Sequence, residues 1–232
     1  MLASRWDRLG PLSGVLFVVL VVVGNLLPGE PPDFLDDPDT IAAFYVDNAG
    51  EIMLGMSLAL ISLLFLVWFL ARLRHRLAAD EDGQGQFNVV AFGGGLVATS
   101  MLAAGFSLNA LGALRADEDG ELSADLAVVF SDGSSVLMGL AGPIGMAVLL
   151  AAFAVVVLRF RGFPAWFGWL SALMALVGLV PPVSWTLLLA FPVWVLIASI
   201  LLYRREGQAD TSPGAIADAP PHQRVTGTAE TV

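Results

Sequence analysis

Apolar residues gather in six stretches along this chain, about 11–27, 51–71, 87–114, 135–158, 164–180 and 183–203, separated by polar segments whose charge alternates. Each stretch is long enough for a transmembrane helix, and the third is longer than one needs. Arg72, Arg74 and Arg76 close the second stretch, Arg159 and Arg161 the fourth, and Arg204 and Arg205 the sixth, while the exits of the first and third are acidic and that of the fifth is the uncharged Pro181-Pro182. Under the positive-inside rule this alternation predicts six spans with both termini in the cytoplasm. Ten arginines then lie inside and only Arg115 outside. The predicted fold is all-α: a polytopic membrane protein with six transmembrane helices in one bundle.

The same pattern divides the chain into a cytoplasmic head over 1–10, a membrane domain over 11–205 and a disordered cytoplasmic tail over 206–232, where Gly, Gln, Ala, Asp, Thr, Ser and Pro take over. A first outer loop, 28–50, is rich in proline and acid. Within it Asp39 or Thr40 is placed to cap a short helix running through Val46, with Ile41, Phe44 and Tyr45 on its apolar side. The third stretch exceeds what a vertical span needs, which predicts tilt or protrusion. A second outer loop is expected over 115–134, and a flexible connector over 78–86. Pro143 predicts a kink in the fourth span. Only Pro181 and Pro182 join the fifth and sixth, which predicts a tight antiparallel pair.

Composition agrees with a bilayer setting. The chain of 232 residues is 57% hydrophobic and 14% charged, with a mean hydropathy of +0.79. It has no cysteine, which removes disulfide and thiolate chemistry. Lysine is absent while alanine, glycine, valine and arginine abound, a bias that points to a bacterial source and hence to the cytoplasmic (inner) membrane. The net charge of −10 sits mostly in outer loops and tail, where water solvates it. The lipid bilayer is the expected partner, with a homo-oligomer or other membrane proteins beside it, and no nucleic acid.

No ionisable residue interrupts the six apolar cores, which argues against a proton relay, a voltage sensor or a buried ion site. His75 and His222 both lie outside the spans, so no bis-histidine haem is expected within the membrane. The glycine triplet at 93–95 lacks the Gly-Lys-Ser/Thr ending of a phosphate loop, and the acid run at 33–39 lacks the spacing of an EF-hand. No catalytic residue, metal ligand or cofactor is assigned. What remains is neutral and polar. Asn25, Ser107 and Asn109 lie toward the outer ends of their spans, where they could line an outward-facing pocket. Gly139, Gly142, Pro143 and Gly145 invite close approach by another helix. Trp6, Trp166, Trp169, Trp185 and Tyr203 are expected to anchor at the headgroup level. Glu51, Asp125 and Asp132 are candidates for acid/base work at the outer surface, although a carboxylate such as Glu51 or Asp132 at a helix start already suits the helix dipole.

Four segments carry a resemblance: 27–32 (Leu-Pro-Gly-Glu-Pro-Pro), 41–48 (Ile-Ala-Ala-Phe-Tyr-Val-Asp-Asn), 92–95 (Phe-Gly-Gly-Gly) and 164–169 (Pro-Ala-Trp-Phe-Gly-Trp). In these and in its layout the chain resembles uncharacterised bacterial six-helix integral membrane proteins grouped as a domain of unknown function. That resemblance implies the architecture over residues 10–205 and no chemistry. The expected role is a non-enzymatic membrane interaction or accessory protein. A small-molecule or lipid-handling transporter with an outward-facing pocket is the alternative, and a membrane enzyme using outer carboxylates comes third.

Overall fold

The computed structural model describes residues 3–33, 36–81 and 85–209. All regular structure among them is helical: α1 (Ala3–Leu26), α2 (Pro38–Asp47), α3 (Ala49–Asp80), α4 (Gln86–Asp119), α5 (Ala124–Val136), α6 (Gly142–Phe160), α7 (Ala165–Gly178) and α8 (Pro181–Ala209). A single π turn, Leu137–Ala141, joins α5 to α6, so 124–160 is one rod.

Four helices are long and apolar enough to cross a membrane: α3, α4, the α5–α6 rod and α8. The apolar parts of α1 (Leu12–Leu26) and α7 are shorter. At 32 residues α3 is about 48 Å long, well beyond the ~30 Å of a hydrocarbon core. It therefore carries Arg72, Arg74 and Arg76 on its own helix rather than on a connector. Likewise α4 runs on through Asp119, and α5 begins at Ala124. The long second outer loop expected over 115–134 is reduced to residues 120–123. Strong helix formers explain the extension, since Ala113, Leu114, Arg115 and Ala116 continue the helix after the apolar run has ended. α1 starts at Ala3, so most of the expected head is helix, and the expected tail from 210 onward lies outside the described residues.

Consecutive long helices are neighbours: α1 touches α3, α3 touches α4, α4 touches α6, α6 touches α7, α7 touches α8, and α8 returns to α1. The α5–α6 rod is the most enclosed, 67% buried over its apolar window against 39–44% for the other three. Glycines set the closest crossings. A Cβ on Gly55 would overlap the Gly24 carbonyl between α1 and α3, and one on Gly94 would lie 2.6 Å from the Leu149 amide between α4 and α6. Inside, Trp194 stacks between Phe167 and Phe191 with centroids 5.5 and 5.9 Å away, and its indole N–H donates to Ser171 Oγ at 2.8 Å. Outside, apolar stripes at helical spacing stand exposed, such as Leu54, Ile61, Leu64 and Trp68 on α3 and Trp166, Trp169, Leu173 and Leu176 on α7. Such stripes suit hydrocarbon rather than water.

The helix ends that carry arginine meet at one end of the bundle. Arg205 pairs with Asp80 at 3.7 Å and sits 5.0 Å over the Phe163 ring. Glu81, only 3% exposed, accepts from the Asn88 backbone N–H at 3.1 Å and from its Nδ2 at 2.9 Å, so the α3–α4 connector is clamped at its described ends.

Candidate functional site

The acidic end holds a cavity of about 400 Å³. Its walls come from α1 and the following arm, α2, α3, α4, the α5–π segment and the start of α8.

α1 ends at Leu26, and Gly29, at φ +79°, turns the chain outward with its N–H on the Leu26 carbonyl at 3.3 Å. Pro31, Pro32 and Asp33 continue along the rim, and the Asp33 N–H donates to the Asp36 carboxylate at 2.8 Å. α2 then lies across the end of the bundle. Its cap is Asp37, which accepts from the Asp39 N–H at 2.9 Å, rather than the expected Asp39 or Thr40, because Pro38 fills the first helical position. Ile41, Ala42 and Tyr45 face inward, and Phe44 reaches the cavity. Gly112 makes room for the Tyr45 ring, a Cβ there falling 2.9 Å from it. Burial first, and the Asp132 carboxylate second, hold the Tyr45 hydroxyl well above the usual phenol range.

On the opposite wall Ser131, Ser134, Ser135 and Met138 recur at the spacing of one helical face. Ser134 Oγ bonds back to the Ser131 carbonyl at 2.8 Å. Below them the π turn meets α8. Gly142 N–H donates to the Leu137 carbonyl five residues back, the expected break near Pro143 taking this form. Ser184 Oγ donates to the Gly139 carbonyl at 2.7 Å, and Trp185 lies against Gly139, whose missing Cβ leaves space for the indole.

The cavity unites two of the pocket residues expected from sequence. Asn25 and Asn109 both line it. Asn25 Nδ2 is committed to the Val21 carbonyl at 2.7 Å, leaving its Oδ1 as an acceptor, whereas the Asn109 amide has no hydrogen-bond partner among the described residues. Ser107 is exposed and does not join them, since the two positions that separate it from Asn109 turn it about 200° around α4, to the far side. Gly139 supports the indole from outside the lining, and Gly145 packs against Ala98 of α4. The Pro143 carbonyl would be 3.2 Å from a Cβ on Gly178, and Gly142 has no neighbour closer than 3.4 Å. Gly139, Pro143 and Gly145 therefore serve the helix junction, Gly142 has no close contact to serve, and none of the four lines the cavity.

Of the expected acid/base candidates, Glu51 and Asp125 are exposed in first helical turns and Asp132 faces Tyr45 from within α5; none lines the cavity. Sequence reasoning passed over Trp185, taken there as an interface anchor, and the three serines, placed in or beside a loop. Their signal was the 131, 134, 135, 138 periodicity, legible only once 124–136 is a helix. A smaller cavity of about 230 Å³ opens at the basic end beside Glu81, Gln86, Phe87, Arg159 and Phe160.

No family model, no curated protein and no solved structure matches this chain. The fold itself defines the class: all regular structure among the described residues is helical, and four of those helices are long and apolar enough to cross a membrane, which makes a multi-pass membrane protein.

Proposed function

We propose that the chain is a six-span protein of a bacterial cytoplasmic membrane, both termini inside, that binds a small molecule or lipid in the cavity at its outer end. The count of six draws support from the path of α6, α7 and α8. α6 ends at the arginine-bearing face, Phe163 meets Arg205 there, and α8 starts beside the outer cavity, so α7 has to return across the bundle despite its 14 residues. α1 supports it likewise, since Gly14 packs on Phe69 and Ser199 while Asn25 reaches the cavity. The ten-to-one arginine bias gives the orientation.

One observation carries the binding role: two asparagines from separate helices converge with Ser131, Ser135, Met138 and Trp185 on one space of 400 Å³, within the size range of ligand sites. An accessory role has no comparable feature in its favour, and the acid/base candidates Glu51, Asp125 and Asp132 do not line the cavity. The test is thermal unfolding of the full chain in nanodiscs across a broad panel of lipids and metabolites. At least one compound should raise the Tm of the wild type by several degrees and leave Trp185→Ala unmoved. A panel that stabilises neither protein overturns the reading.

A further inference from the structure

We infer that the outer cavity takes an uncharged, hydroxyl-rich headgroup of about hexose size on a short apolar stem, an inference that rests on the cavity being a ligand site. Size sets the first limit. A space of about 400 Å³ lies in the range of small-ligand sites and admits one hexose ring with the start of a stem, but not a large oligosaccharide.

Hydrogen-bonding capacity sets the second. Asn25 Oδ1 can only accept, the Asn109 amide can donate and accept, and the Ser131 and Ser135 hydroxyls have no partner among the described residues. A ligand satisfying all four needs donors and acceptors interspersed, which hydroxyls supply and a simple ammonium or carboxylate does not. The amides and hydroxyls that line the cavity, half-buried at Asn109, Ser131 and Ser135, also favour such a ligand over a plain hydrocarbon chain, which would cover them without offering a partner.

Charge sets the third limit. Among the described residues no arginine or histidine lines the cavity, and the one titratable residue that does, Asp33, stands exposed at the rim. Asp36, Asp37 and Asp39 follow it closely on the same outer surface. A phosphate or carboxylate would meet this negative rim with no cation to pair with, and a cation would leave Asp33 and water for an interior with no carboxylate. Ile52, Met56, Met138 and Trp185 supply an apolar wall that suits the C–H face of a sugar ring and the stem that follows it.

The same chemistry is offered by a glycolipid of the outer leaflet and by a soluble glycoside. The experiment uses the full chain in nanodiscs with three photoreactive octyl probes bearing a glucosyl, a phosphate or a trimethylammonium head. The glucosyl probe should label peptides containing Asn109 or Ser131 to Ser135. Asn109→Leu should cut that labelling about tenfold, and Ser135→Ala should weaken it in a variant with little packing change. Stronger or equal labelling by a charged probe overturns the headgroup class while leaving a ligand site in place. Failure of all three probes to label the cavity overturns both this inference and the reading beneath it. Competition then separates the sources: loss of labelling with glucosyl diacylglycerol alone supports a membrane lipid, and loss with methyl glucoside as well supports a soluble glycoside.

Discussion

Ser184 Oγ donates to the Gly139 carbonyl across the α6–α8 junction, and Gly139 is the residue four positions before Pro143. Pro143 has no N–H to give to that carbonyl, so a hydroxyl from another helix supplies the proton. Ser184→Ala should therefore cost about 1–3 kcal/mol by leaving a buried carbonyl unpaired. In the Pro143→Ala background, where an N–H is restored, the same change should cost less. Equilibrium unfolding in mixed micelles, arranged as a double-mutant cycle, measures the coupling; strict additivity would refute this account.

Neighbouring glycines should behave in opposite ways. A Cβ on Gly145 overlaps the Ala98 backbone, whereas one on Gly142 meets nothing closer than 3.4 Å. Gly145→Ala should destabilise the chain by about 1–3 kcal/mol, because two helix backbones must part. Gly142→Ala should be neutral or add up to about 1 kcal/mol, through the better helix propensity of alanine. Thermal unfolding of the two variants side by side checks the order.

Asn109 and Asn88 offer a second contrast. Replacing Asn109 by leucine removes an amide with no described protein partner, so unfolding should change little while ligand binding falls. Replacing Asn88 by leucine strips Glu81 of its side-chain donor in a buried position and should cost about 1–3 kcal/mol without touching the outer cavity. If instead Asn109→Leu unfolds the protein, its amide holds structure rather than ligand.

The elevated pKa of Tyr45 gives a stability term with a definite sign. Its neutral form is favoured in the folded state, so its contribution is complete below the ordinary phenol value of about 10 and declines as pH climbs from there toward the folded pKa. Ionisation would also set Tyr45 against Asp132. Unfolding free energy measured from neutral to strongly alkaline pH should fall above about 10, and Tyr45→Phe should remove that part of the fall.

Orientation can be read without background, because the chain has no cysteine of its own. Asp39→Cys, on exposed α2, should react with a membrane-impermeant maleimide in intact cells. His75→Cys, exposed near the arginine-bearing end of α3, should react only after permeabilisation. The reverse result would invert the topology.

Hydropathy and arginine placement made the helical class legible, since both report where water begins. Neither reports where a helix ends. Asp117, Glu118 and Asp119 look like loop because they are charged, yet a helix leaving the bilayer keeps its hydrogen bonds in water, and all three lie in α4. The same blind spot hid the serine face of α5. Depth along the chain was enough to single out Asn25 and Asn109, but which side of a helix faces a cavity depends on its neighbours, and so Ser107 was included and Trp185 left out. Side-chain bonds within a helix depend on no neighbour: Ser57, Ser62, Thr99, Ser100 and Thr186 each bond back three or four residues.

Where α1 crosses α3, Gly24 and Gly55 bring backbone against backbone, with no side chain between them that could rotate away. That seam, one residue from Asn25, offers no swinging gate. On the ligand-site reading proposed above, a covalent tie between α1 and α3 at this point should leave ligand exchange untouched.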